Sequence, residues 1–127
     1  QRLAMLLAVL DRKAGINTIS QDVYVNVVGG LKPDSTSVDL GVALAVYSSV
    51  KNIRCGYRLI AFGEIGLTGE LRSVSNADKI IAEASRMGYE KVIMPKKNAA
   101  RLGDKFSNCR IIGVNNIYDA IEAFKEQ

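Results

Sequence analysis

Short apolar runs of strand character alternate with stretches of helical periodicity along the chain, and glycine or proline stands at many of the changes between them. Leu3, Leu6, Leu7 and Leu10 share one helical face, and Gly15 stops that helix. Val23, Val25 and Val27 alternate with Tyr24, Asn26 and Val28, so residues 22–28 read as a strand, broken by Gly29-Gly30. A second helix is predicted from Val38 to Val50, and its small residues Gly41, Ala43 and Ala45 predict close packing on a sheet or another helix. A strand over Arg58–Gly63 leads into GEIGLTGEL, whose glycines punctuate a hairpin or paired short strands. A third helix covers Asn76–Met87, with Ile80, Ile81 and Ala84 on one face, and Gly88 ends it. Lys91–Met94 reads as a strand stopped by Pro95, Asn98–Leu102 as a helical turn and Arg110–Gly113 as another strand. The last helix is Ile117–Lys125, with Ile117, Ala120, Ile121 and Phe124 inward. The order α-β-α-β-β-α-β-α-β-α implies an α/β fold with helices covering a sheet.

The 127 residues suffice for one domain with a real core. No apolar run reaches the roughly 18–20 residues that cross a bilayer, so no membrane partner is expected. The apolar run Leu3–Leu10 is followed by Asp11-Arg12-Lys13 without a small-residue cleavage site, and reads as a buried or interface helix rather than a signal peptide. Gln1 already lies inside that helical pattern, which is expected of a piece of a longer protein. Cys55 and Cys109 form no CxxC pair and read as buried free thiols in a reducing cytoplasm, not as zinc ligands.

The absence of histidine excludes a Ser-His-Asp triad, a Cys-His pair and the common zinc hydrolase sites. A nucleophile here would need a lysine or carboxylate as its base. The turn KPDSTSVDLG sets Ser35, Thr36 and Ser37 at a helix start, two residues before Asp39. Helix capping by these hydroxyls is one reading, with Asp39 complementing the helix dipole. A serine–lysine dyad of Ser35 or Ser37 with Lys79 is the other. Ser75-Asn76-Ala77-Asp78 resembles a capping box for the third helix. There is no P-loop and no GxGxxG, so ATP binding by these residues alone is not expected.

The net charge of +4 is unevenly spread. Residues 91–110 hold Lys91, Lys96, Lys97, Arg101, Lys105 and Arg110 against Asp104 alone. Residues 51–58 hold Lys51, Arg54 and Arg58 against no acid. Such patches suit phosphates, and their alternative is an ordinary solvated surface.

Three stretches together carry a family resemblance: DVYVNVVGG, then PDSTSVDLGVALA, then FGEIGLTGELRSVSNADKIIAEASRMGYEKVIMP. The chain resembles the Lon-protease-type domain and, more narrowly, the C-terminal domain of RadA-type (Sms) bacterial DNA repair proteins. The resemblance runs from Arg2 to about Phe124, and GEIGLTGE with the following helix and KVIMP is its most specific part. It implies a single Lon-type domain over residues 1–127, of the ribosomal protein S5 domain 2-like fold, with a mixed sheet covered by helices. Lon-type peptidases use a Ser-Lys dyad. Laid on their pattern, the serine position here holds Asp39 and the lysine position, counted from the shared GEI, holds Asp78. The resemblance therefore implies vestigial dyad positions without peptidase catalysis. The two carboxylates are expected close together, relieved by protonation or by a cation, with Lys79 and Arg72 nearest in sequence.

For function the resemblance implies a scaffold domain of a DNA repair and recombination ATPase that drives branch migration. The partners are DNA, bound nonspecifically as single strands or branched forms, and further copies of the chain in a hexameric ring. ATP, Mg and Zn are expected of a parent protein with a zinc motif and a RecA-like ATPase domain, and no cofactor of this chain. Charge clustering, not a family motif, selects Lys96, Lys97, Arg101 and Lys105 as DNA contacts, with Arg54 and Arg58 second. An ATP-dependent Ser-Lys peptidase and a purely structural assembly module are the rival readings.

Overall fold

The computed structural model describes residues 36–53, 59–106 and 108–126. The expected helix at Leu3–Leu10, the strand at 22–28, Ser35, Arg54, Cys55 and Arg58 lie outside them. The chain of elements opens with a 3-10 turn, Thr36–Val38, that runs directly into helix α1, Asp39–Lys51. Strand β1, Leu59–Ala61, is followed by the short strands β2, Glu64–Ile65, and β3, Leu71–Arg72. Then come α2, Ala77–Arg86; β4, Lys91–Pro95; α3, Lys96–Leu102; β5, Arg110–Val114; and α4, Ile117–Lys125.

Strands β1, β4 and β5 form a parallel sheet in the order β1-β4-β5. Each connection between neighbours carries a helix, as parallel pairing requires: α2 leads from β1 to β4 and α3 from β4 to β5. The expected mixed sheet takes a divided form among the described residues. Antiparallel pairing is confined to the separate β2–β3 hairpin, where Glu64 faces Arg72 and Ile65 faces Leu71.

The twofold alternation of strand side chains builds two cores, one on each face. Leu59, Ala61, Ile93, Ile112 and Val114 pack with α1 and α4, through Leu40, Leu44, Tyr47, Ile117, Ile121 and Phe124. Tyr47 and Phe124 meet edge to face, with ring centroids 6.3 Å apart. On the other face Ile60, Phe62, Val92, Met94 and Ile111 pack with α2 and α3, through Ala77, Ile80, Ile81, Ala99 and Leu102. The strand β4 lies between both cores, and all five of its residues are buried. Its apolar run, without polar alternation, is the pattern of a strand covered on both sides.

Close approach explains one glycine in the sheet. A Cβ on Gly113 of β5 would stand 3.0 Å from both the Ala99 Cβ and the Lys96 Cα of α3. Pro95 does not stop β4, as expected, but forms its last residue, opposite Val114. A proline at a strand end forfeits little of the ladder, and α3 begins immediately after it. Ala45 is exposed, contrary to the packing expected of it, while Ala43 is buried as expected.

Lys91 opens β4 and is buried. Its Nζ donates to the carbonyls of Ala123 (2.8 Å) and Glu126 (2.9 Å), at the C-terminal end of α4. A cation there satisfies carbonyls that the helix itself leaves unpaired and complements its dipole. Cys109 is buried as a free thiol, with its Sγ 3.2 Å from the Tyr89 carbonyl.

Candidate functional site

The start of α1 is tied to the link between β1 and β2. Leu40 N–H donates to the Gly63 carbonyl at 3.0 Å, and Gly63 N–H donates to the Ser37 carbonyl at 2.9 Å. Gly63 itself has a φ of 144°, and a Cβ there would meet the Pro95 ring at 2.9 Å. Asp39 is wholly buried in the first turn of α1, and its Oδ2 accepts the Ile65 N–H at 3.0 Å. Its carboxylate thus joins the helix start to β2.

Of the hydroxyls expected to cap this helix, Ser35 lies outside the described residues, and neither Thr36 nor Ser37 holds the capping position. Val38 occupies the capping position of α1 without a side-chain capping bond, because Thr36 and Ser37 are already wound into the 3-10 turn. The capping box expected at α2 is likewise absent: Asn76 holds the capping position, and no side-chain capping bond forms. Asp78 and Lys79 are exposed in the first turn of α2, which covers the opposite face of the sheet from α1. Among the described residues no hydrogen bond joins Asp78 to Asp39, or Lys79 to Ser37. Among these residues, too, no group of three or more His, Cys, Asp or Glu is placed to hold a metal.

The GEIGLTGELR stretch builds a compact polar hairpin. The Glu70 carboxylate accepts from Thr68 N–H, from the Thr68 hydroxyl and from the Arg72 guanidinium. The Thr68 hydroxyl first, then backbone and Arg72 hydrogen bonds, hold the Glu70 carboxyl down at about 2. The hairpin is stitched to the end of β5: Leu71 N–H donates to the Asn115 carbonyl at 2.9 Å, and Ile117 N–H to the Gly69 carbonyl at 2.8 Å. Asn116 then caps α4, its Oδ1 accepting the Asp119 N–H at 2.8 Å. The segment after the hairpin is clamped by the buried Asn98 of α3. Its Oδ1 accepts the Val74 N–H (3.0 Å) and its Nδ2 donates to the Val74 carbonyl (2.9 Å).

These ties shape an open cleft of about 450 Å³ beyond the C-terminal ends of β4 and β5. The hairpin side contributes Glu64, Glu70, Leu71, Arg72 and Ser73, and the sheet side Pro95, Lys96, Lys97 and Asn115. The carboxyl edge of a parallel sheet is where open α/β folds bind ligands.

The expected basic residues separate into groups. Lys96 and Lys97 are exposed at the cleft. Arg101 lies one helical turn beyond Lys97 on the solvent side of α3, and Lys105 is exposed just past its end. Among the described residues none of these four forms an ion pair. Lys91 leaves the patch altogether, because it is buried, and exposed Arg110 pairs with Glu126 at 3.3 Å. Glu64, Ser73 and Asn115 were not among the expected site residues, and Arg72 was expected only as a neighbour of the dyad. The glycine-punctuated motif signalled the hairpin, but nothing local signalled that Asn115 would meet it.

The chain is 40% identical to DNA repair protein RadA of Halalkalibacterium halodurans over 121 residues, which is 95% of this chain and 26% of that protein. It is 41% identical to DNA repair protein RadA of Escherichia coli K12 over 125 residues, 98% of this chain and 27% of that protein. For DNA repair protein RadA of Aquifex aeolicus the identity is 42% over 121 residues, 95% of this chain and 26% of that protein. The chain thus spans about a quarter of the length of these relatives. A family model described as subunit ChlI of Mg-chelatase matches residues 5–98, from the N-terminal apolar run through the hairpin and β4 into α3. With well over half of its residues matched, the chain belongs to that family.

Proposed function

We propose that the chain is the Lon-like, non-proteolytic scaffold domain of a RadA-type DNA repair protein, and that it contacts DNA through the outer face of α3. The observation that carries this reading is the set of exposed cations Lys96, Lys97, Arg101 and Lys105, none of them in an ion pair among the described residues. Cations without carboxylate partners are ready to neutralise phosphates, and a strip of them along one helix and the turn after it follows a backbone without reading bases. The similarity to proteins named DNA repair protein RadA, over nearly the whole chain, supports the repair setting.

In this reading the peptidase positions Asp39 and Asp78 do no chemistry. Asp39 instead anchors β2 to α1, and assembly into a hexameric ring in the cytoplasm is the scaffold's role. ATP, Mg and Zn belong to further domains of the longer protein. Arg54 and Arg58 remain secondary DNA candidates outside the described residues.

The test is charge reversal. Lys97→Glu with Arg101→Glu should weaken DNA binding at least about tenfold, through like-charge repulsion added to lost contacts. Unchanged affinity, measured by fluorescence anisotropy with labelled single-stranded and forked DNA, refutes the α3 assignment. Casein cleavage that survives inhibition of contaminating proteases would overturn the non-proteolytic reading.

A further inference from the structure

The cleft at the sheet edge has a chemistry that the DNA strip does not account for. Lys96 and Lys97 stand on one wall and Glu64, Glu70 and Arg72 on the other, with the neutral donors and acceptors of Ser73 and Asn115. A purely polyanionic ligand would be repelled by two carboxylates, and a purely cationic one by three cations. A ligand with an anionic end and a hydroxyl-donating end satisfies both walls.

We propose that this cleft binds a small phosphate monoester that also carries vicinal hydroxyls, a ribonucleotide or another sugar phosphate, with its phosphate at Lys96, Lys97 and Arg72 and a hydroxyl donating to Glu64. Arg72 is already oriented for this. Its Nε and Nη2 both donate to Glu70 Oε2, at 3.3 and 3.0 Å, so one side of the planar fork is fixed and the remaining N–H groups keep a set direction. Glu70 is held by Thr68 and Arg72, and Glu64, opposite Arg72 across the hairpin, is the second carboxylate lining the cleft, to which we assign the ligand's hydroxyl. Glu64 stands on the hairpin that lines a cleft at the carboxyl edge of the parallel sheet, the edge at which open α/β folds bind nucleotides. The volume of about 450 Å³ lies within the usual range for small-molecule sites. The walls are rigid, because the hairpin is bonded to Asn115 and Ile117 and its exit is clamped by Asn98.

The site shares Lys96 and Lys97 with the DNA strip but not Arg101 or Lys105, and one experiment separates the two readings. The full chain is titrated with adenosine 5′-monophosphate, its 2′-deoxy analogue, inorganic phosphate and an unphosphorylated oligodeoxynucleotide, by calorimetry and by amide chemical shifts. The expected result is saturable binding of the ribonucleotide, at least about tenfold tighter than inorganic phosphate, with shifts at Ser73, Lys96 and Asn115. Lys96→Ala with Lys97→Ala should weaken the nucleotide about tenfold or more. Glu64→Gln should reduce the preference for ribose over deoxyribose while phosphate binding stays. Arg101→Glu with Lys105→Glu should leave nucleotide binding intact whatever it does to DNA. Binding of phosphate as tight as that of the nucleotide overturns the proposal, as do shifts elsewhere on the chain or an undiminished ribose preference in Glu64→Gln. If Glu64→Gln disturbs the hairpin, Asn115→Asp serves in its place: the added negative charge should weaken the nucleotide, and an unchanged affinity overturns the proposal.

Discussion

Glu70 concentrates more hydrogen bonds than any other exposed carboxylate described here, and its titration is the most direct residue-level test of the hairpin. Thr68 and Arg72 stabilise its charged form, so its folded value lies at about 2 against an ordinary 4.5. A depressed carboxyl value contributes stability that is fully present above about 4.5 and is lost as the pH falls toward 2. The side-chain carbonyl carbon of Glu70, followed by NMR, should therefore show a midpoint near 2 in the wild type. In Thr68→Val the midpoint should move upward, because the hydroxyl that most stabilises the charged carboxylate is gone. A wild-type midpoint near 4.5 would mean that the network does not hold in solution. Asn98 makes a second prediction at this scale. Its side chain satisfies both backbone groups of Val74, and the residue is 3% exposed. Asn98→Ala strands those groups and should cost about 1–3 kcal/mol in denaturant unfolding. It should also loosen the hairpin exit, seen as faster amide exchange at Val74.

Among the elements, α3 carries most of the proposed DNA contacts, and its seat depends on a residue without a side chain. Gly113 of β5 lets Lys96 and Ala99 approach the sheet closely. Gly113→Val should overpack that contact and destabilise the domain by about 1–3 kcal/mol, read from thermal or urea unfolding. It should also shift the amides of α3, and a variant with native stability and native α3 shifts would show that the helix seats elsewhere. Most of these elements were legible from periodicity alone. The helix Ile117–Lys125 and the hairpin in GEIGLTGEL emerge where the pattern predicted them, and α2 lies within one residue of its predicted bounds at each end. The caps were not legible in the same way. Thr36 and Ser37 look like caps by residue type, yet a 3-10 turn continues straight into α1 and uses their backbone. Lys91 was misleading for a similar reason: a lysine at a strand start reads as surface. Its partners, the carbonyls of Ala123 and Glu126, come from a helix more than thirty residues later.

At the scale of the molecule, two cores share one central strand, and this decides which chemistry can meet. Asp39 and Asp78 sit on helices that cover opposite faces of the sheet, Asp39 buried and Asp78 exposed, and among the described residues no hydrogen bond joins them. The cleft instead collects residues from β2, β3, the end of β4, the start of α3 and the exit of β5, which are distant in sequence and brought together by topology. The charge distribution follows the same logic. Burial of Lys91 and pairing of Arg110 with Glu126 leave Lys96, Lys97, Arg101 and Lys105 as the basic strip on this side. If DNA lies along that strip, a count of neutralised phosphates follows. Four contacts imply a log–log salt slope of about −3.6 on duplex DNA and about −2.8 on single strands. Raising salt fourfold should then weaken duplex binding by roughly a hundredfold. Removing two of the four charges, in Lys97→Ala with Arg101→Ala, should flatten the duplex slope to about −1.8. An unaltered slope in that variant, with the fold intact by circular dichroism, would place the DNA on another surface even if affinity had fallen. The slope counts the charges engaged, whereas affinity alone also responds to any structural damage.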